Sequence, residues 1–151
     1  MTILSREIYT NSEEETFSLG KSMGKKIPSK LIVGFKGDLG SGKTIFIKGI
    51  LAGLGYDPKR VTSTSFVLAQ EYKAKIPVVH VDLYRFSEQL KAEDIDWDYY
   101  ITKDSLVLIE WAEKLKDFLN FDITIDIKFI SENTRKIYIQ YLNDYAAVSS
   151  A

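Results

Sequence analysis

Cysteine is absent from the 151 residues, which excludes disulfide bonds, thiolate metal sites and thiol-based catalysis. An excess of one charge is also missing, because 20 lysines and arginines stand against 21 aspartates and glutamates. The net charge of -1 gives no overall field toward nucleic acid or an anionic membrane. Any role in nucleic-acid metabolism must therefore be indirect or local.

Long apolar runs are lacking too. No uninterrupted stretch approaches the roughly 18 residues needed to span a bilayer, and charged residues interrupt the first 15 positions. We therefore expect no signal peptide, no membrane association and a cytoplasmic location, which the absence of cysteine also suits. The length and the 45% hydrophobic content predict a single domain over 1–151 with one compact core.

Hydrophobic periodicity predicts alternating helices and strands. Ser12 and Glu15 have the spacing of a capping box and open a predicted helix over 13–26. A second helix is predicted over 43–54, where apolar residues recur at helical spacing. Strands are predicted over 31–35, 66–72, 78–84, 106–109, 123–129 and 137–141.

These elements predict a three-layer α/β domain of the P-loop NTPase type. Its central sheet should be mixed and mostly parallel, because short buried strands alternate with helices. Two hairpins should flank the parallel part, one over 66–84 and one over 123–141. The tail over 146–151 is expected to fray.

The strongest chemical signal is a full match to the P-loop pattern G-x-x-x-x-G-K-[ST], between a predicted strand and a predicted helix. Its residues are Gly37, Asp38, Leu39, Gly40, Ser41, Gly42, Lys43 and Thr44. In such a loop, main-chain N–H groups surround phosphate, the lysine reaches the β- and γ-phosphates, and the threonine hydroxyl binds Mg²⁺. A glycine-rich turn with a merely exposed lysine is the alternative, and the flanking strand and helix argue against it.

Two carboxylates could complete a metal site. Asp82 and Glu110 each end an apolar run, and ligands of open α/β sheets bind at the carboxyl ends of strands. Either acid alone could be an ordinary solvated strand end. Beside a P-loop, at least one should face Mg²⁺, and the sequence leaves open which is the direct ligand.

Other polar residues have weaker interpretations. Four hydroxyl residues over 62–65 could sense the outer phosphate or form a polar turn. His80, the single histidine, should share a strand face with Asp82 and is better explained by packing or hydrogen bonding than by catalysis. Trp111 could close the site or pack, and the acidic stretch over 87–100 is typical of a solvated face.

Four motifs, taken together, resemble the bacterial TsaE (YjeE) ATPases, which take part in making N6-threonylcarbamoyladenosine in tRNA. They are GDLGSGKT over 37–44, VTSTSF over 61–66, HVDLYR over 80–85 and LIEWAEK over 108–114. The resemblance covers nearly the whole chain. One departure is Thr64, where the family usually has proline.

The resemblance implies an ATP-hydrolysing subunit that uses ATP and Mg²⁺ and acts with TsaB and TsaD. It would meet tRNA only indirectly, through that complex. By the same resemblance, Lys43 contacts phosphates, Thr44 and Glu110 hold Mg²⁺, and Asp82 serves hydrolysis or metal organisation. Ser12, Trp111 and Arg135 match positions beside the nucleotide.

Arginine is scarce, and this bears on rate. The chain has Arg6, Arg60, Arg85 and Arg135, and no segment marks any of them as an arginine finger. Such a finger is worth about 10³ to 10⁵ in rate. We therefore expect slow hydrolysis by the isolated protein and acceleration by its partners.

Three other functions share the P-loop. A small-molecule kinase needs an acceptor pocket and a charge-covering lid, which the acidic, arginine-free stretch over 87–100 does not suggest. A regulatory GTPase needs an N-K-x-D-like element, and 102–105 is only a near match. A module that binds nucleotide as a structural switch without hydrolysis is also possible.

Overall fold

A computed structural model describes residues 2–61, 69–86, 91, 94–101, 104–115 and 118–149. The predictions made for the hydroxyl residues over 62–65 lie outside these ranges, as do parts of the acidic stretch. Within them the strands are β1 (Ile3–Thr10), β2 (Ile32–Lys36), β3 (Ala69–Lys73), β4 (Pro77–Asp82), β5 (Leu106–Glu110), β6 (Ile123–Phe129) and β7 (Arg135–Leu142). The α-helices are α1 (Glu13–Lys26), α2 (Lys43–Gly53), α3 (Trp97–Ile101) and α4 (Ala146–Ser149).

The described strands form one sheet in the order β1-β7-β6-β2-β5-β4-β3. The four central strands β6, β2, β5 and β4 are parallel, and β1, β7 and β3 add antiparallel pairings at the two edges. The predicted mixed sheet and both predicted hairpins are confirmed. Because parallel strands share a direction, the carboxyl ends of the four central strands meet at one edge of the sheet.

Hydrophobic side chains cover both faces of the sheet. Alternation along β5 places Leu106 and Leu108 in a core with α1 and α2, and Val107 and Ile109 in a second core on the opposite face with Trp97 of α3. The predicted three-layer α/β architecture is therefore confirmed. Asp82, His80 and Glu110 fall on the α1–α2 face by the same alternation.

Helices α1 and α2 approach each other through glycines spaced four residues apart. A Cβ atom on Gly20 would lie 2.3 Å from the Phe46 carbonyl oxygen, and one on Gly49 would lie 2.2 Å from that of Phe17. Gly24 and Gly53 make equally close approaches one turn later. Since the contacts advance along both helices together, α1 and α2 run parallel and begin at the same end of the domain.

Local signals predicted most elements well. The capping box is confirmed at Ser12, whose Oγ accepts the Glu15 N–H at 3.0 Å, and α1 has the predicted bounds. The prediction of a frayed tail is wrong for 146–149, because α4 forms there, Val148 is buried and Arg6 Nη1 donates to the Ser149 carbonyl at 3.0 Å. Strand β1 was not predicted. No helix among the described residues is long and apolar enough to cross a membrane.

Candidate functional site

The predicted P-loop lies where β2 ends and α2 begins. Gly42 is the N-cap of α2 with φ of 113°, a left-handed conformation that side chains other than glycine rarely adopt. Gly40, with φ of 75°, faces open space, since nothing lies within 4 Å of a Cβ built there. The loop thus leaves room beside the amino end of α2, where main-chain N–H groups attract anions.

Lys43 is held inside this loop. Its Nζ donates to the carbonyl oxygens of Gly37 and, at 3.1 Å, Asp38, and it lies 3.9 Å from the centre of the Trp111 ring. Burial lowers the pKa of Lys43 below its usual value, while nearby carboxylates, led by Glu110, act in the opposite direction. The sequence therefore places a desolvated ammonium group where it could pair with phosphate.

Asp82 and Glu110 end neighbouring strands beside the loop. They are register partners in the parallel β4–β5 pair, so their backbones lie roughly 4.8 Å apart. Both act on Lys43 electrostatically. The structure therefore brings together the lysine and the two acids that the sequence nominated from three separate segments.

His80 is hydrogen-bonded to the acid of the neighbouring strand. Its Nε2–H donates to Glu110 Oε2 at 2.7 Å, with 2% of His80 and 5% of Glu110 exposed. One oxygen of Glu110 is thereby fixed, which leaves the other for a ligand. His80 Nδ1 is buried without a hydrogen-bond partner in the described part of the chain. The prediction that His80 is hydrogen-bonded is confirmed.

Trp111 has a strained backbone next to Glu110. Its φ of 60° lies in the left-handed region, which is a genuine outlier for a bulky residue and occurs most often at functional sites. This conformation brings the indole ring over Lys43 and 5.2 Å from the Tyr84 ring, centre to centre. Trp111 therefore covers the site as well as packing against it.

Two residues of the LIEWAEK motif contact the site and were not singled out from the sequence. Glu113 Oε2 accepts the Gly37 N–H at 3.4 Å. Lys114 Nζ donates to the carbonyl oxygens of Tyr84 at 2.5 Å and Phe86 at 2.7 Å, in the segment that follows Asp82. Both residues follow Glu110 and Trp111 in the same motif, and this proximity in the sequence was the one signal that could have predicted their contact with the site.

Arg135 contacts the loop from the other side. Its Nε donates to the Ser41 carbonyl at 2.8 Å and its Nη2 to the Gly40 carbonyl at 3.4 Å. Its Nη1 donates to carbonyls of the turn before β7, which engages all three guanidinium nitrogens. Arg135 is therefore beside the predicted nucleotide position, but it binds the main chain of the loop.

The remaining predicted residues lie around the same loop. Ser12 caps α1, and the first turn of that helix adjoins the loop through Thr16, whose Cγ2 is 3.8 Å from a Cβ built on Gly42. Thr44 is an exposed residue in the first turn of α2, and Leu39 is exposed at the loop. Ser41 Oγ is buried without a hydrogen-bond partner among the described residues.

These features fit a magnesium-bound nucleotide. An open loop at a helix amino end, an unpartnered buried hydroxyl and a desolvated lysine suit phosphate. Carboxylate and hydroxyl oxygens are the ligands that Mg²⁺ prefers, and Glu110, Asp82 and Thr44 supply them. Strand, glycine loop, helix and facing acids define the protein as a P-loop domain.

Comparison with known proteins assigns this P-loop domain to a family. A family model described as threonylcarbamoyl adenosine biosynthesis protein TsaE matches residues 10–137. The chain belongs to the TsaE family. The resemblance noted in its motifs is thereby confirmed.

Individual relatives match this chain over most of their length. The tRNA threonylcarbamoyladenosine biosynthesis protein TsaE of Aquifex aeolicus is 32% identical over 138 residues, covering 90% of this chain and 96% of that protein. The Bacillus subtilis protein of the same name is 32% identical over 130 residues, covering 85% and 80%. The crystal structure of Bacillus subtilis YdiB superposes with a TM-score of 0.79 at 27% identity, covering 98% of this chain and 93% of that one.

Proposed function

We propose that this protein is an ATP-hydrolysing subunit required for N6-threonylcarbamoyladenosine modification of tRNA, acting with TsaB and TsaD. Membership of the TsaE family supports the role in this modification. The observation that carries the chemistry is Lys43, which lies buried in a glycine loop and faces Glu110 and Asp82. Its tRNA contact would be indirect, and a cysteine-free chain suits the reducing cytoplasm as its location.

Each site residue has a role in this proposal. The N–H groups of the loop and the Lys43 ammonium would hold the phosphates and stabilise the charge that grows on them as water attacks the outer phosphorus and ADP leaves. Thr44, Glu110 and Asp82 would hold Mg²⁺, which neutralises phosphate charge when bound. His80 would fix the orientation of Glu110 through the 2.7 Å hydrogen bond.

We also propose that hydrolysis is slow in the isolated protein. Arg135 contacts the loop and donates from all three guanidinium nitrogens to main-chain carbonyls. Arg6 donates to the Ser149 carbonyl and Arg60 lies over the Tyr56 ring. These three arginines are engaged elsewhere, which supports a positive charge for the transition state supplied by TsaB or TsaD, and turnover should rise when both are added.

A reconstitution tests the function. The protein is mixed with TsaB, TsaD, tRNA and threonylcarbamoyl-adenylate, and modified tRNA is counted over several turnovers. Lys43→Ala should lose multiple turnover, while Lys48→Ala, which removes a lysine from the same helix outside the loop, should retain it. Persistent multiple turnover by Lys43→Ala would overturn the assignment.

Phosphate release separates the rival activities. In the proposed function, inorganic phosphate forms from ATP in water with no added acceptor, faster with TsaB and TsaD than without them. Equal rates with and without the partners would contradict partner activation. ADP formation that required a small-molecule acceptor, with the phosphate transferred to that acceptor and no inorganic phosphate released, would identify a kinase. Nucleotide binding without any ADP formation would identify a switch.

A further inference from the structure

The turn that follows β4 binds one oxygen of Asp82. The Tyr84 N–H donates to Asp82 Oδ1 at 2.9 Å, and the Leu83 N–H donates to the Glu110 carbonyl of β5 at 3.2 Å. An aspartate whose side chain accepts the N–H of the second residue after it forms a local turn of this kind. The orientation of the Asp82 carboxylate therefore depends on where the chain places Tyr84.

Burial alone does not fix this turn. Leu83 is fully buried, but Tyr84 is 49% exposed and Arg85 is exposed as well. The Tyr84 ring has a neighbour on one side, where its centre lies 5.2 Å from that of Trp111. Because the main chain leaves the core after Leu83, its position at Tyr84 depends on hydrogen bonds.

Lys114 supplies two of these hydrogen bonds. Its Nζ donates to the Tyr84 carbonyl at 2.5 Å and to the Phe86 carbonyl at 2.7 Å. Tyr84 thus accepts a hydrogen bond from Lys114 at its carbonyl and donates one to Asp82 from its N–H. Hydrogen bonds from a charged donor are about twice as strong as neutral ones. A single residue of the turn therefore connects the Lys114 ammonium to the Asp82 carboxylate.

The backbone of Lys114 is itself anchored next to the site. It lies in a 3₁₀ turn over Ala112–Leu115, in which Ala112 and Leu115 are each 1% exposed and pack in the second core. Its N–H donates to the Trp111 carbonyl at 3.0 Å. Lys114 therefore links the end of β5, which carries Glu110, to the end of β4.

A direct action of Lys114 on phosphate is less consistent with its contacts. An ammonium group has three N–H donors, and Lys114 uses two of them on carbonyls of the turn. Its Nζ lies 5.7 Å from the centre of the Trp111 ring, whereas Lys43 Nζ, inside the loop, lies 3.9 Å from it. Lys114 is therefore placed to act on the site through the turn.

We propose that Lys114 is a positioning residue for Asp82, and that it holds the Asp82 carboxylate in one orientation through Tyr84. The proposal rests on the proposed function, in which Asp82 holds Mg²⁺ and serves hydrolysis, and it adds the residue that fixes this acid. The phosphates are assigned to the loop and Lys43. Loss of Lys114 should therefore weaken metal binding and turnover but spare nucleotide binding without metal.

Metal affinity and nucleotide affinity are measured separately. By paramagnetic resonance in the presence of ADP, Lys114→Met should raise the Kd for Mn²⁺ about tenfold, as for other groups that orient a metal ligand. By calorimetry without metal, the Kd for ADP should not change. With TsaB, TsaD and saturating Mg²⁺, kcat for ATP hydrolysis should fall while KM for ATP stays constant.

A double-mutant cycle shows whether Lys114 acts through Asp82. In Asp82→Ala the carboxylate is gone, so the addition of Lys114→Met should not weaken Mn²⁺ binding further. Amide NMR spectra give a second readout that needs no ligand. The Tyr84 amide proton, which is bonded to Asp82, should change its chemical shift in Lys114→Met.

A conservative variant and a matched control complete the test. Lys114→Arg keeps charged N–H donors and should restore both the Mn²⁺ affinity and the Tyr84 amide shift. Lys75 is an exposed lysine two residues before β4 begins, at the opposite end of that strand from Asp82. Lys75→Met should therefore match the unmodified protein in every measurement.

The outcomes are distinguishable. Unchanged Mn²⁺ affinity in Lys114→Met, additive losses in the cycle, or no recovery in Lys114→Arg would overturn the role of Lys114 and leave the proposed function intact. If Lys114→Met does not fold, Lys114→Gln, which keeps a neutral N–H donor, is judged by the same criteria. Failure of the unmodified protein to bind ADP and Mn²⁺ would overturn the proposed function and this role together.

Discussion

His80 Nε2 and Glu110 Oε2 lie 2.7 Å apart between two adjacent parallel strands, and both side chains are buried. In the proposed function Glu110 binds Mg²⁺, and an imidazole that fixes one of its oxygens would orient the other. Partners of this kind usually change metal affinity by 10- to 100-fold. We therefore expect His80 to act as a positioning residue for Glu110.

His80→Leu should weaken Mn²⁺ binding in the presence of ADP by about 10- to 100-fold, because Glu110 loses the group that orients it. Paramagnetic resonance of Mn²⁺ measures this affinity without turnover. His80→Gln keeps an N–H donor near the position of Nε2 and should recover most of the loss. Equal Mn²⁺ affinity in His80→Leu and the unmodified protein would show that the hydrogen bond has no influence on the metal.

Lys43→Met should stabilise the nucleotide-free protein at neutral pH while abolishing phosphate binding. Burial lowers the pKa of Lys43, so the folded state disfavours its charge relative to the unfolded state. Thermal unfolding without nucleotide measures the gain, at roughly 2–4 °C for each kcal/mol in a domain of this size.

The sign of the pH dependence follows from the same shift. As pH rises through the lowered pKa of folded Lys43 toward its usual value of 10.5, the folded state releases the proton before the unfolded state does. The unmodified protein therefore gains stability relative to Lys43→Met, and the advantage of the variant shrinks at alkaline pH. A difference in unfolding free energy that is constant with pH would contradict this account.

Gly20→Ala should destabilise the domain by at least about 1–3 kcal/mol, because the new methyl group would meet the Phe46 carbonyl oxygen at 2.3 Å and push α2 away from α1. Urea unfolding measures the loss. Ser18→Ala, on the exposed side of the same helix, should change stability by no more than about 0.5 kcal/mol. Equal effects of the two substitutions on the free energy of unfolding would show that the close approach of α1 and α2 at Gly20 does not require glycine.

Lys114→Met should loosen the turn that follows Asp82. Lys114 Nζ donates to the Tyr84 and Phe86 carbonyls, and bonds from a charged donor contribute about 1.5–3 kcal/mol. Exchange of the Phe86 amide hydrogen, which donates to the Leu83 carbonyl, should accelerate about tenfold or more. Lys128→Met, at an exposed position of β6, serves as the control and should leave this exchange rate unchanged.

Elements with strong local signals were predictable. The capping box at Ser12 and the helical spacing of apolar residues gave the bounds of α1, and the prediction for α2 was one residue too long. The glycine loop and the acids at the ends of two apolar runs gave most of the candidate site. These features depend on residues near one another in the chain, so a single segment carries the information.

Elements that depend on distant partners were not predictable. In β1 the inward positions include Arg6 and Thr10, which breaks the apolar alternation of a half-buried strand. Helix α4 has four residues and little local stability, and it depends on the Arg6 contact and on burial of Val148. Strand β1 and helix α4 contact each other through Arg6 and the Ser149 carbonyl. Neither segment has a local sequence pattern that predicts it.

The sequence by itself determined the α/β class, the phosphate loop and the two acids, because helix capping, strand alternation and loop glycines are local chemistry. Only the tertiary structure decided that His80 bonds Glu110, that Trp111 covers Lys43 and that Arg135 joins the loop to Phe129. Those relationships arise from strand order and register, which bring together residues that lie far apart in the chain.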